Sequence, residues 1–386
     1  MKQFKQAEEA LNGYFVERQD EIHGLTLSAI SGINMLLLGP PGTGKTMLVN
    51  SWASLIKSNN HFSWLLHKFL TPDELFGPIS LKGLEDEKYV RNTTGKLPEA
   101  TTAFLDEIFK CNAGSLNALL SILNERVFYN DGVATKVPLE VAIGASNELP
   151  EESDHLEALD DRFPFRFHVL PIQDIKHRVT LFNLASKFDS EVMLSLEDIR
   201  SAREKSTSVN VDKVVTEQIL ILIDNLRQAG IMVTDRTVRA AKRLLQAEAM
   251  FHDRDMVVID DIEVLKNAFW KAPEQQRVVH SQILQLINPE KDKIQTLFDD
   301  AEEIYQNAMA LVESKDTRKA AQEGIEIADK LKSAKREIDE NITVMKSKGK
   351  EIADAVRIKK QVETWLEEVF SKLCGVDFGF PDKVSG

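Results

Sequence analysis

Residues 36–46 read LLLGPPGTGKT, an apolar run followed by a glycine- and proline-rich loop and a lysine–threonine pair. Gly39, Gly42 and Gly44 let the backbone turn until its N–H groups converge on one point, and a helix starting at the lysine adds its positive end. That concavity is built for phosphate. In this GxxxxGK[ST] pattern Lys45 is expected to reach the β- and γ-phosphates and Thr46 to offer its hydroxyl to Mg²⁺. Pro40, Pro41, Thr43 and Met47 complete the predicted nucleotide-binding loop. The pattern sits between a strand-like run and a helix, as its mechanism demands. Leu48, Trp52, Leu55 and Ile56 fit one buried face of the helix that follows.

The text around the loop supports an α/β fold. From Ile33 to about Leu170, short apolar runs alternate with helical periods, predicting a parallel five-stranded sheet with helices on both faces. The runs cover residues 33–39, 62–69, 101–107, 138–147 and 165–170. None alternates strictly with polar residues, as expected of strands covered on both sides. After Pro171 the pattern turns helical. Leu220, Ile223, Leu226 and Arg227 share one helical rhythm, TDRTVRAAKRLLQAEAMF carries another, and Asp260 with Glu263 three places on reads as a capped helix start. The last hundred residues, rich in Lys and Glu, carry apolar positions at three-four spacing from Ile294 to Leu311. They continue with Leu331, Ile338 and Met345, and then with Val362, Trp365, Leu366, Val369 and Leu373. The connectors ESKDT and KSKGK then predict an antiparallel helical stalk. Three domains follow: an α/β core over 1–171, an all-α lid over 172–285 and a helical bundle or coiled-coil stalk over 286–386.

Composition narrows the setting. With 48 Lys and Arg against 61 Asp and Glu, the net charge of -13 disfavours nucleic acid as a partner. Cys111 and Cys374 are far apart and in no CxxC spacing, which argues for a reducing compartment, by default the cytoplasm, and against a disulfide framework or zinc site. Residues 1–24 are charged throughout without an apolar h-region, and no later run approaches the roughly 18 apolar residues of a membrane span. The expectation is a chain neither inserted in a membrane nor secreted.

Further residues answer the loop. TTAFLDEI ends an apolar run in two carboxylates: Asp106 is expected to hold Mg²⁺ through its water shell, and Glu107 to orient and deprotonate the attacking water. Asn147, closing AIGASN, could hydrogen-bond that water and the γ-phosphate, although an Asn after a strand is often only a turn former. In LDDRFPFRF, Arg162 or Arg166 could act as an arginine finger in a neighbouring subunit's site; the plainer reading is a salt bridge to Asp160 or Asp161. Arg236, opening a helix of the second domain, could reach back to the γ-phosphate, with Arg239 its rival and a solvated helix face the plain alternative.

The order of GPPGTGKT, FLDE, GASN, DRF and TDR resembles the AAA+ superfamily. The stretches TPDELFGPIS (71–80), GKLPEATTAFLDEIFK (95–110), LNALLSILNERVF (116–128), ASNELPE and HLEALDDR (155–162) narrow the resemblance to the MoxR family, in its RavA-like branch. It covers roughly residues 10–285. By that resemblance the core carries an insert after its second helix, here about 75–98, and a hairpin before the sensor strand, with both facing the channel of a hexameric ring. RVFYNDGVATKV independently reads as such a hairpin, β-formers flanking an N-D-G turn. The resemblance also implies ATP held between subunits, adenine near Tyr14 to Val16, and a partner with a von Willebrand factor A domain that is matured or activated by chaperone-like remodelling.

Two other functions compete. A nucleic-acid translocase of the same insert-bearing clade is opposed by the acidic balance and by a hairpin with one Arg and one Lys. A nucleotide-gated scaffold of a defence or membrane-associated complex would need no sustained turnover, yet Lys45, Asp106, Glu107 and Asn147 are all intact. One departure matters. RavA-like proteins interrupt their C-terminal helices with a small β-domain, and the short polar connectors here leave no room for it.

Overall fold

The computed structural model describes residues 1–150, 156–184, 187–312, 317–348, 350 and 352–373. Cys374, Glu151, His155, Gly349 and the first four residues of ESKDT lie outside the described residues. Two compact units are formed, Met1–His280 and Ser281–Gly386.

In the first unit five strands build one sheet: β1 (Met35–Leu38), β2 (His61–Leu65), β3 (Thr102–Asp106), β6 (Val141–Ser146) and β7 (Phe165–His168). β4 (Val127–Asn130) and β5 (Val133–Lys136) stand apart as a hairpin. The order across the sheet is β2-β3-β6-β1-β7, and every pairing is parallel. All four residues of β1 and all six of β6 are buried, which explains the missing polar alternation. Each fully buried Leu or Ile there contributes about 2 kcal/mol of hydrophobic stabilisation. Helices α1 (Lys2–Tyr14), α2 (Gln19–Ser31), α3 (Lys45–Ser54) and α4 (Ala113–Glu125) belong to this layer, and α2 contributes Ile22, Leu25, Leu27 and Ile30 to the core. Leu48, Trp52, Leu55 and Ile56 are buried, as their spacing predicts.

The hairpin turns at Asp131 (φ 52°) and Gly132 (φ 74°). Two successive positive φ values define the tight turn whose twist matches its strands. Before the hairpin, residues 75–98 carry short helical turns, Pro72–Phe76, Leu81–Glu85 and the 3₁₀ turn Leu97–Glu99, and an antiparallel bridge between Ile79 and Arg91. Asn130 ties the two together: its Oδ1 accepts from Arg91 N–H at 2.8 Å and its Nδ2 donates to Arg91 O at 3.1 Å. Asp131 Oδ1 accepts from Tyr89 N–H at 3.1 Å, and Phe76 stacks on Phe128 at 5.5 Å. Insert and hairpin therefore form one piece, with Leu81, Tyr89, Tyr129 and Val133 exposed on it.

Helices α5 (Ile175–Phe182), α6 (Leu196–Thr207), α7 (Lys213–Gln228), α8 (Asp235–Phe251) and α9 (Gln276–Ile287) make the helical part. Two expectations need correction. α7 buries Val215, Ile219, Leu222 and Leu226 while Leu220 is 54% exposed, so of the stripe read through Leu220, Ile223, Leu226 and Arg227 only Leu226 is fully buried and the core-facing stripe is rotated from it. The run ILILI offers apolar side chains in several directions, and the helix periodicity through Val215 selects among them. The start near Asp260 is a 3₁₀ helix, Ile259–Asn267, held by Asp261: its Oδ2 accepts from Val258 N–H at 2.8 Å, and its two oxygens pair with Arg254.

The second unit is a three-helix bundle of α10 (Pro289–Val312), α11 (Thr317–Ser347) and α12 (Ala353–Leu373). Ion pairs fix the directions: Glu290 with Lys348, and Asp339 and Lys335 with Lys359 and Glu363, run α11 against both neighbours. Its core holds Ile294, Leu331, Ile338, Met345, Val362 and Val369, at the heptad-like positions the sequence marks. No helix among the described residues is long and apolar enough to cross a membrane.

Candidate active site

Four loops meet at the carboxyl edge of the sheet. Gly39 leaves β1 between β6 and β7, its N–H donating to Ser146 O at 3.1 Å; a Cβ there would lie 2.2 Å from Val169 O, so only glycine fits. Gly42 (φ 80°) and Gly44 (φ 84°) have open space where a Cβ would be, and are required instead for their left-handed backbone. α3 then begins at Lys45, leaving the first N–H groups of a helix open toward the loop.

Lys45 is 7% exposed, and its Nζ donates to Gly39 O at 2.6 Å, Pro40 O at 3.0 Å and Asn147 Oδ1 at 3.2 Å. Burial lowers its pKa, opposed by the charges of Asp106 and Glu107. Thr46 Oγ1 donates to Asp106 Oδ2 at 3.1 Å, while Asp106 Oδ1 accepts from Glu107 N–H at 3.0 Å. A hydroxyl beside a carboxylate is the hard oxygen set that Mg²⁺ takes, so these residues fit the ion. Glu107 is a non-glycine residue in the left-handed region (φ 52°, ψ 46°), a conformation costing about 1–3 kcal/mol. The turn brings its carboxylate to Asn147, whose Nδ2 donates to Glu107 Oε1; Lys110 Nζ lies 3.2 Å from Oε2. The amide of Asn147 thus faces a cation with its oxygen and a carboxylate with its nitrogen.

Beside the loop lies a cavity of about 410 Å³ lined by Phe15, Val16, Gly42, Thr43, Gly44, Met47, Pro171 and Ile172, with Arg178, Leu181 and Leu184 opposite. Its apolar walls and size suit a purine nucleoside. Val16 and Met47 are on the wall as expected. Tyr14 is not: it packs edge-to-face on Phe15 and Phe188, and Phe15 takes its place. Arg18, which sequence reasoning missed, is 6% exposed and donates to Thr43 O at 3.2 Å and Leu170 O at 2.7 Å, joining the phosphate loop to the end of β7. No local motif announces it.

The arginines divide. Arg166 is 2% exposed and paired with Asp160 at 2.8 Å, its Nη1 also donating to Lys271 O at 3.4 Å. It is an interior ion pair and cannot be offered to a neighbour, so the finger reading does not hold for it. Arg162 lies just before β7, at the amino edge of the sheet. Arg236 does not reach back over Lys45: it pairs with Asp161 at 3.3 Å, and it depresses the Arg162 pKa after burial has done so. Arg162, Arg236 and Arg239 line one cavity with Asn34, Glu140 and Pro164, the residues preceding β1, β6 and β7. From Asn34 to Gly39 the strand spans about 16 Å. These arginines and Lys45 therefore occupy opposite edges of the same sheet.

A parallel sheet of this order, a phosphate loop after its β1 and a helical lid define a nucleotide-binding protein of the AAA+ class. Residues 2–193 match the family model described as the MoxR domain in the MoxR-vWA-beta-propeller ternary systems, and residues 214–283 match an AAA lid domain. The chain belongs to the MoxR family of AAA+ ATPases. Two uncharacterised proteins of Methanocaldococcus jannaschii are each 36% identical to it, over 295 residues (76% of this chain, 77% of the relative) and 281 residues (72% and 74%). A crystal structure of a candidate ATPase from Cytophaga hutchinsonii superposes with a TM-score of 0.61 at 19% identity, over 74% of this chain and 94% of that one, a likeness of fold.

Proposed function

We propose that this chain hydrolyses ATP in sites shared between adjacent copies, and uses the cycle to remodel or activate a protein partner. The observation that carries the reading is the opposite-edge arrangement of Lys45, Asp106, Glu107 and Asn147 against Arg162 and Arg236. Each copy holds half a site at each edge, so one copy's Arg162 is useful only against another's nucleotide. Lys45 and the loop N–H groups bind the phosphates, and Thr46 and Asp106 would hold Mg²⁺, which when bound neutralises charge on the β- and γ-oxygens. Glu107 takes the proton of the attacking water, and Asn147 orients Glu107 against Lys45. Arg162, with Arg236 beside it, stabilises the transferring phosphoryl group in trans.

Closing a rotationally symmetric set of such head-to-tail contacts gives a ring, a hexamer by family resemblance. The insert and hairpin, with Tyr89 and Tyr129 exposed, are the surfaces for the substrate, and the bundle is a docking arm. The division into 1–171, 172–285 and 286–386, the RavA-like branch, a cytoplasmic location and a von Willebrand factor A partner belong to the same reading; the last is supported by the ternary systems named in the matching family model. Phosphate release by wild type, Arg162→Ala, Lys45→Ala and their mixture tests it: the mixture must regain activity that neither variant has alone.

A further inference from the structure

The amino-edge cavity has a volume of about 820 Å³ and holds more positive charge than two trans-acting arginines explain. α8 presents Arg236, Arg239 and Arg243 to it at spacings of three and four, one face of a helix. α6 adds Arg200 and Arg203, and Arg126 stands at the end of α4. Among the described residues, carboxylates pair with three of the lining arginines: Glu140 with Arg200 and Arg203, both at 2.6 Å, and Asp161 with Arg236.

The innermost group converges. A Cβ built on Gly32 would lie 2.9 Å from Arg243 Nη2 and 3.0 Å from Arg203 Nε, so two guanidiniums approach the same bare backbone at φ +67°. Arg203 Nε is buried without a hydrogen-bond partner, and Arg243 has neither an ion pair nor a hydrogen bond among the described residues. Arg126 is held near them by Asn34 Oδ1 at 3.0 Å. Burial first, and then the neighbouring arginine charges, lower the pKa of Arg243 and bring that of Arg126 down to about 10. Like charges brought together destabilise a fold, and among the described residues Arg243 makes no bond in return.

We infer that Arg243, Arg203 and Arg126 form a second phosphate-binding site, one that takes a polyphosphate anion at the amino edge of the sheet. A single carboxylate would neutralise one guanidinium, whereas a polyphosphate carries several charges and accepts forked bonds from several arginines at once. The anion has two sources, the phosphates of a nucleotide held by an adjacent copy or a free polyphosphate. The first source rests on the proposed shared site; the second does not.

The test uses the full chain carrying Lys45→Ala, which disables the phosphate loop, titrated without nucleotide by inorganic tripolyphosphate in a calorimeter. A saturable site of one per chain is expected, weakened at least tenfold by adding Arg243→Ala, with an unchanged melting curve. No saturable binding, or equal affinity with and without Arg243, overturns the proposal. With Lys45 intact, Arg243→Ala then separates the sources: hydrolysis lost and regained by mixing with Lys45→Ala copies identifies the adjacent nucleotide, and unaltered hydrolysis identifies a free anion. Failure of the Arg162→Ala and Lys45→Ala mixture would sink the shared-site reading and leave the tripolyphosphate result standing.

Discussion

Asn147 Oδ1 accepts a hydrogen bond from Lys45 Nζ at 3.2 Å, joining the loop after β6 to the loop after β1 across the strand pair they leave. The same amide donates from Nδ2 to Glu107 on β3's exit. One short side chain therefore bridges the ammonium group of Lys45 and the carboxylate of Glu107.

Glu107→Gln keeps the size and the Asn147 contact but removes the proton acceptor. ATP binding is expected to persist within a few fold while phosphate release falls by about 10²–10⁴. Equilibrium binding of a fluorescent ATP analogue, measured beside single-turnover hydrolysis, separates the two. Hydrolysis within a few fold of wild type would remove Glu107 from the role of base.

Arg162 and Arg166 sit four residues apart and should fail differently. Arg166→Ala strands Asp160 in the interior, and breaking such a buried pair costs about 3–5 kcal/mol, so its first effect is a lowered unfolding midpoint. Arg162→Ala removes a guanidinium that donates to Ala158 O at 3.2 Å; its melting curve should barely move while hydrolysis drops about 10³-fold or more. A stable, active Arg166→Ala, or an Arg162→Ala that melts early, would reverse the assignment.

Much of this site is legible in the sequence because its chemistry is local. Gly42, Gly44, Lys45 and Thr46 are read from one turn, and Asp106 and Glu107 from one strand end. Of the stretch Tyr14 to Val16, Phe15 and Val16 line the cavity and Tyr14 does not, because the chain before β1 has no motif that fixes which side chains of the stretch turn inward. The arginines are harder still. Arg162, Arg166 and Arg236 look alike as text, and what distinguishes them is whether Asp160, Asp161 or open space lies opposite, which is decided by the packing of α8 and β7. Arg126, Arg203 and Arg243 come from three separate helices, or their ends, and converge only in three dimensions.

The bundle offers an independent check on its own stability. Trp365 is 7% exposed and stacks on Phe298 at 5.0 Å and Tyr305 at 5.2 Å, while Tyr305 Oη donates to Glu368 at 2.7 Å. Trp365→Ala should cost about 3–5 kcal/mol of bundle stability and leave nucleotide affinity within a few fold of wild type. Differential scanning calorimetry is expected to show the loss in one transition only; a parallel drop of every transition would mean that the two units unfold as one.

His23 on α2 gives the last prediction. Its Nδ1 is 3.0 Å from Glu8 on α1, and its Nε2 is 2.8 Å from Glu248 on α8. Burial by itself would lower the His23 pKa, but the hydrogen bonds and charges of Glu248 and Glu8 outweigh it and raise the value from 6.5 to about 10. Because the folded pKa is raised, the imidazolium contributes stability fully below about pH 6.5, and that contribution is lost as pH rises through about 10. Wild-type protein should therefore lose unfolding free energy across this alkaline window. His23→Gln, which can hydrogen-bond but carries no charge, should start lower at neutral pH and show a flatter profile there. Urea unfolding at intervals from pH 6 to 10.5 measures both; parallel curves for the two proteins would show that His23 is not charged in the fold.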